Sequence, residues 1–248
     1  MPAQLRIGTS GWLYKPWRGG AFYPKGLKQK DEFAHYATLF DTVELNGSFY
    51  RLPIETAPTR WREQAPKNFL YAWKYPRWLT HYYKLRDPAE SYKLVFGRMR
   101  ALRETEGPVL FQLHPRMVKD RERLAIALKL LPKNKRVTYE FRHPSWYDED
   151  IFALLRDYDA ALCISDHADA PTPWLETASW IYIRGHGPSG RYHGSYTDAA
   201  LRTWSKHIRA WSAQNKHVFC YFDNDIGAAA PQDALRLKRM LSRPRVRT

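Results

Sequence analysis

One pattern constrains this chain more than any other. A short β-branched or aromatic run is followed by a longer stretch of helical periodicity, and the unit recurs eight times. The predicted strands cover residues 5–9, 41–46, 69–74, 108–114, 136–142, 160–166, 180–184 and 217–223. Helical spacing fills the intervals: Phe33, Ala37 and Phe40 keep one face, as do Leu201, Trp204, Ile208 and Trp211. Asp87-Pro88 and Pro231 suit first turns of further helices. The interval from Pro171 to Ser179 is short and holds two prolines, so the sixth helix is expected to be reduced or missing. Strand–helix alternation implies a parallel sheet with right-handed crossovers, and eight units suit closure into a TIM-type (β/α)8 barrel. An open doubly wound sheet is the rival. It would need a glycine-rich phosphate turn after an early strand, and Gly8-Thr-Ser-Gly11 is too short for one. The barrel is expected to form a single domain over residues 1–248, with a basic tail at 243–248.

Side chains alternate between the two faces of a strand, so each predicted strand can be divided into an outer and a luminal set. Val43 and Leu45 oppose Glu44 and Asn46; Tyr139 and Phe141 oppose Glu140 and Arg142; Ile181 and Ile183 oppose Tyr182, Arg184 and then His186. Lys74 ends the third strand, Gln112 and His114 the fourth, Asp166 the sixth, and Asp223-Asn224 follow the eighth. Polar groups thus gather at the C-terminal ends, where barrel enzymes carry out their chemistry. Barrel interiors otherwise favour Val, Ile and Leu, and burying charge is costly even when it is paired. Glu44, Lys74, Glu140, Arg142, Asp166 and Arg184 are therefore expected to line one solvent-filled pocket.

The rest of the composition narrows the class. A hydrophobic fraction of 44% supplies a core, which disordered chains lack. No apolar run approaches the roughly 20 residues of a membrane helix, and the opening residues lack a signal-peptide pattern. Cys163 and Cys220 sit in strand-like runs and read as buried thiols of a reducing, cytoplasmic compartment. Lys and Arg number 40 against 25 Asp and Glu, a net charge of +15 that favours anionic partners, nucleic acid among them.

Several motifs carry a family resemblance. Ile7-Gly-Thr-Ser-Gly-Trp12, Thr42-Val-Glu-Leu-Asn-Gly-Ser-Phe-Tyr-Arg-Leu-Pro53, Phe111-Gln-Leu-His-Pro115, Tyr139-Glu-Phe-Arg-His-Pro-Ser-Trp146, Arg184-Gly-His-Gly187 and Tyr221-Phe-Asp-Asn-Asp225 occur in order across nearly the whole chain. Together they resemble the domain-of-unknown-function family 72, or YecE-like proteins. Asp223 stands where that family more often has asparagine. The resemblance implies a TIM-type barrel and no known reaction.

Residue chemistry supplies the functional expectation. Lys74, Arg142 and Arg184 suit an anion, and Arg forks grip phosphate or carboxylate. Glu44 and Glu140 are read as an acid/base pair, with Asp166 and His186 as further catalytic candidates. Asn46, Gln112 and Asn224 would orient hydroxyls; Trp12, Tyr50, His143 and Trp146 would contact the substrate. Gly185 to Gly190 reads as a mobile loop that brings Arg191 and Tyr192 over the pocket. No cofactor is required by any motif. A divalent metal on Glu44, Glu140, Asp166 and His186 stays open, although no local ligand pair exists and nearby cations oppose it. The leading expectation is an enzyme hydrolysing or isomerising a sugar phosphate, nucleotide or phosphodiester. The alternatives are a nucleic-acid-binding protein and a non-catalytic sensor of a small anion.

Overall fold

The computed structural model describes residues 3–242, so the basic tail expected at 243–248 lies outside the described residues. Eight strands form where β-branched and aromatic residues concentrate: β1 Leu5–Thr9, β2 Thr42–Leu45, β3 Leu70–Lys74, β4 Glu106–Gln112, β5 Val137–Glu140, β6 Ala161–Ser165, β7 Trp180–Gly185 and β8 His217–Phe222. All pairings are parallel, in the order β1-β8-β7-β6-β5-β4-β3-β2. A bridge between Ser10 and Glu44 brings the two ends together, with Gly11 N donating to Glu44 O at 2.8 Å. The result is a nearly closed TIM-type (β/α)8 barrel.

The helices are α1 Glu32–Leu39, the single turn α2 Gly47–Tyr50, α3 Ala57–Gln64, α4 Pro88–Met99, α5 Arg121–Lys129, α6 Glu149–Asp157, α7 Asp198–Ala213 and α8 Ala229–Ser242. Pro88 opens α4, where its missing N–H costs nothing. The Asp120 side chain caps α5 by accepting from Arg123 N at 3.0 Å. No helix forms among the described residues between β6 and β7; there Thr172 N returns to Ser165 O at 2.8 Å. None of the described helices is long and apolar enough to cross a membrane.

β4 begins and ends two residues earlier than the expected 108–114. Its register against β3 shifts between Tyr71 and Trp73, and Gly107 sits at that irregularity. A Cβ on Gly107 would lie 2.9 Å from Tyr71 O, so the close approach requires glycine. Pro108 is tolerated beside it because an irregular pairing spares the missing donor. His114 therefore falls beyond the strand, on the mouth.

Alternation divides the core in two. Outward residues such as Val43, Trp73, Phe111, Ile183 and Cys220 pack beneath the helices. Leu110, Cys163, Trp180, Tyr182, Phe219 and Tyr221 fill the lumen. This luminal plug ends abruptly toward the C-terminal side, where the next inward residues are Glu44, Lys74, Gln112, Glu140, Ser165, Arg184 and Asp223. The cross-strand pairs Gln112–Glu140 and Ser165–Arg184 place them at one level.

Candidate functional site

Arg184 organises that level. Its side chain is 1% exposed, and its guanidinium engages three carboxylates. Glu44 receives Nε at 3.1 Å and Nη2 at 2.8 Å; Glu140 receives Nη1 at 3.0 Å; Asp223 receives Nη2 at 2.8 Å. Glu44 also accepts from Tyr182 OH at 2.6 Å and from the Ser10 hydroxyl. Glu140 pairs in addition with Arg142 Nη2 at 2.6 Å and accepts from Gln112 Nε2 at 2.9 Å. Burial pushes the Glu140 carboxyl up, but Arg142 and then Arg184 lead the opposing pull and hold the group well below the usual carboxylate range.

This geometry corrects the expected acid/base pair. Glu140 is held ionised, and both oxygens of fully buried Glu44 are already engaged, so the two glutamates position Arg184 instead of facing a substrate. The same contacts occupy the oxygens that the sequence offered to a metal. His186 is likewise buried. Its Nε2 lies 3.1 Å from Arg142 Nη2 and 3.1 Å from Arg184 Nη1, which makes it an acceptor and leaves the ring proton on Nδ1. Asp166 accepts from His186 N at 2.7 Å and from the Tyr196 hydroxyl, and so pins the loop after β7.

Above the network lies a pocket of about 630 Å³, lined among others by Asn46, Tyr50, Lys74, Arg77, Gln112 and Asp225. Four of the expected binding residues, Asn46, Tyr50, Lys74 and Gln112, thus reach it. Lys74 Nζ sits 3.9 Å from the Phe49 ring centroid, with no ion pair among the described residues. Burial and then Arg184 lower its pKa to about 8, against the pull of Glu140, Asp223 and Glu44. Arg77 lies 5.5 Å from each of the Tyr50 and Tyr82 ring centroids. His81, edge-on to His114 at 5.3 Å, is lowered to about 4 by burial and by Lys74. Across the mouth, burial and neighbouring Asp223 raise Asp225 to about 6. β8 and β4 are four strands apart in the ring, so a cationic wall from the β3 and β4 loops faces an acidic one from β8.

Other expected contacts lie elsewhere. Trp146 is fully buried, stacked on Phe141 at 4.7 Å, and donates Nε1 to Met117 O at 2.6 Å. His143 turns its Nδ1 to Ser145 N at 3.2 Å, because the strand has already ended at Glu140. Asn224 is buried and ties Gly194 O at 2.7 Å to Asp233 Oδ2 at 2.9 Å. Trp12 packs edge-on against Phe33 at 5.3 Å and lines a neighbouring apolar groove. Arg191 pairs outward with Asp169 at 3.2 Å, whereas Tyr192 lines the pocket and accepts from Arg142 Nη1 at 3.0 Å. Sequence reasoning missed Arg77, His81, Tyr82, Asp225 and Ile226. All lie just past strand ends, so extending the strand-end argument into each following loop would have found them.

Fold and mouth together define a (β/α)8-barrel protein with an ionic layer beneath a polar pocket at the C-terminal strand ends. The chain belongs to the family described as "Protein of unknown function DUF72", which it matches over residues 6–248. It is 23% identical over 270 aligned positions to UPF0759 protein YunF of Bacillus subtilis (strain 168), covering 96% of this chain and 94% of that protein. UPF0759 protein YecE of Escherichia coli (strain K12) is 29% identical over 145 positions, 58% of this chain and 50% of YecE. A crystal structure of a DUF72 family protein from Thermotoga maritima MSB8 superposes with a TM-score of 0.88 at 25% identity, covering 97% of this chain and 100% of that one. One from Enterococcus faecalis V583 gives 0.80 at 19% identity, covering 97% and 96%.

Proposed function

We propose that the mouth is the active site of an enzyme acting by acid/base chemistry on a small anionic, hydroxyl-bearing molecule, of which a sugar phosphate is the model case. One observation carries this reading: Lys74 and Asp225, with pKa values drawn to about 8 and about 6, line the same pocket. Environments that push titratable groups toward neutrality from opposite sides favour proton transfer near pH 7. Asp225 is the proton-transferring carboxylate and Arg77 the anion holder. Asn46 and Gln112 orient hydroxyls. The two buried free thiols fit a cytoplasmic setting.

The test is a turnover screen over sugar phosphates, phosphoesters and hydroxy acids. Turnover should rise through about pH 6 as Asp225 ionises, and Asp225→Asn should lose it while retaining phosphate affinity. Absence of turnover across all three substrate classes, or full activity of the variant, would refute the proposal.

A further inference from the structure

We infer that Lys74 is a covalent site, whose amine condenses with the carbonyl carbon of an anionic aldehyde or ketone. This rests on the reading of the mouth as the active site and names the substrate's reactive group.

Among the described residues, the buried Lys and Arg side chains are Arg6, Lys74, Arg142 and Arg184. Arg6 pairs with Asp41 at 2.8 Å, Arg142 with Glu140 at 2.6 Å, and Arg184 with Glu44 at 2.8 Å. Only Lys74 has no carboxylate partner among the described residues. A buried cation without a counter-ion is costly, and a lysine relieves that cost by shedding its proton. Its backbone is fixed: Lys74 O accepts from Ser48 Oγ at 2.7 Å at the end of β3. The amine is therefore held at the pocket wall on a rigid strand, with a guanidinium nearby as a second cation. Desolvation and a neighbouring cation are the two devices that turn lysine into a nucleophile. With its pKa at about 8, Lys74 holds roughly 10²-fold more neutral amine at pH 7 than a lysine of ordinary pKa.

The chemistry balances without a redox partner. The nitrogen lone pair attacks the carbonyl carbon, and the C=O π pair moves to oxygen, which takes up one of the two amine hydrogens. The second amine hydrogen follows, the oxygen departs as water, and a C=N bond remains. Once protonated, the imine draws electrons from an adjacent C–H or C–C bond, which suits isomerisation or cleavage beside a hydroxyl.

The experiment uses the full chain with dihydroxyacetone phosphate or pyruvate as probe, sodium borohydride as trap, and peptide mapping by mass spectrometry. The expected result is a reduced adduct concentrated at Lys74. Its yield should increase as pH rises through about 8, and excess inorganic phosphate or acetate should suppress it. The favoured probe identifies the anion as phosphate or carboxylate. Lys74→Arg should bind the favoured probe in calorimetry yet give no adduct, which separates nucleophilicity from charge. An adduct spread evenly over exposed lysines, with probe binding intact, would overturn the covalent role and leave the active-site reading standing. Absence of both binding and adduct would remove both.

Discussion

Replacing Glu140 by glutamine tests the ionic layer at its most connected point. The carboxylate bonds Arg184 at 3.0 Å, Arg142 at 2.6 Å and Gln112 at 2.9 Å, with no water-facing surface. Glutamine has nearly the same shape, but its amide nitrogen must point donors at one of three donor groups, and the charge is gone. Removing one member of a buried ion pair costs about 3–5 kcal/mol. For a chain of this length each kcal/mol lowers the melting midpoint by roughly 2–4 °C, so a fall of about 6–20 °C is expected. The pH dependence gives an independent check. The folded carboxyl lies below its ordinary value, so its contribution is complete above about pH 4.3 and lost as pH falls through the folded value. Wild type should therefore lose stability on acidification below about pH 4.3 more steeply than Glu140→Gln. Urea denaturation from pH 3 to pH 8 measures both. A variant within about 1 kcal/mol of wild type at pH 7 would refute the claim that the network holds its charges by mutual pairing.

Other perturbations separate scaffold from site. Trp146→Ala should cost about 3–5 kcal/mol in denaturant titration, through loss of its buried contacts, while phosphate affinity stays unchanged. Lys74→Met removes a cation whose folded pKa is depressed. Wild type should gain stability as pH rises from about 8 to 10.5, the variant should not, and the variant should be the more stable at pH 7, as read by thermal melts. Gly190→Ala places a Cβ 2.4 Å from Ala168 N at φ +68°, so it should destabilise by more than about 1 kcal/mol and loosen the loop bearing Tyr192, visible as faster amide exchange there.

Much of this was legible because strands repeat with period two. β1 spans Leu5–Thr9 as predicted, and the inward set Glu44, Lys74, Gln112, Glu140 and Arg184 follows from alternation alone. Alternation fails where the backbone leaves the sheet. The polar rhythm around Glu140 and Arg142 continues through His143 to Trp146, but β5 stops at Glu140, and the next residues turn into the wall. Loop residues such as Arg77 and Asp225 obey no period and were invisible to it. Nor does periodicity reveal which charges neutralise one another. Arg184 and Glu44 lie 140 positions apart, and their pairing decides that Glu44 is scaffold.

The network also limits where a bound anion can sit. Tyr182 and Tyr221 fill the lumen with their buried rings while their hydroxyls meet Glu44 and Thr42 at 2.6 and 2.7 Å, so the ionic layer rests on an aromatic plug. Among the described residues, three carboxylates face two guanidinium groups there in formal charge, and the Lys74 amine beside them gains and loses its proton near pH 8. An anion touching that amine would favour its charged form and raise its pKa, which opposes attack on a carbonyl. A site that needs both must hold the anion elsewhere, and Arg77, 5.5 Å from both the Tyr50 and Tyr82 rings, is placed to do so at the rim. Arg77→Met should therefore weaken trapping of dihydroxyacetone phosphate about tenfold or more, the loss of one charge-assisted contact of about 1.5–3 kcal/mol. Trapping of uncharged dihydroxyacetone should be unchanged in the same borohydride assay. Equal loss for both compounds would mean that Arg77 only supports the wall, and no loss for either would put the anion on Lys74 itself.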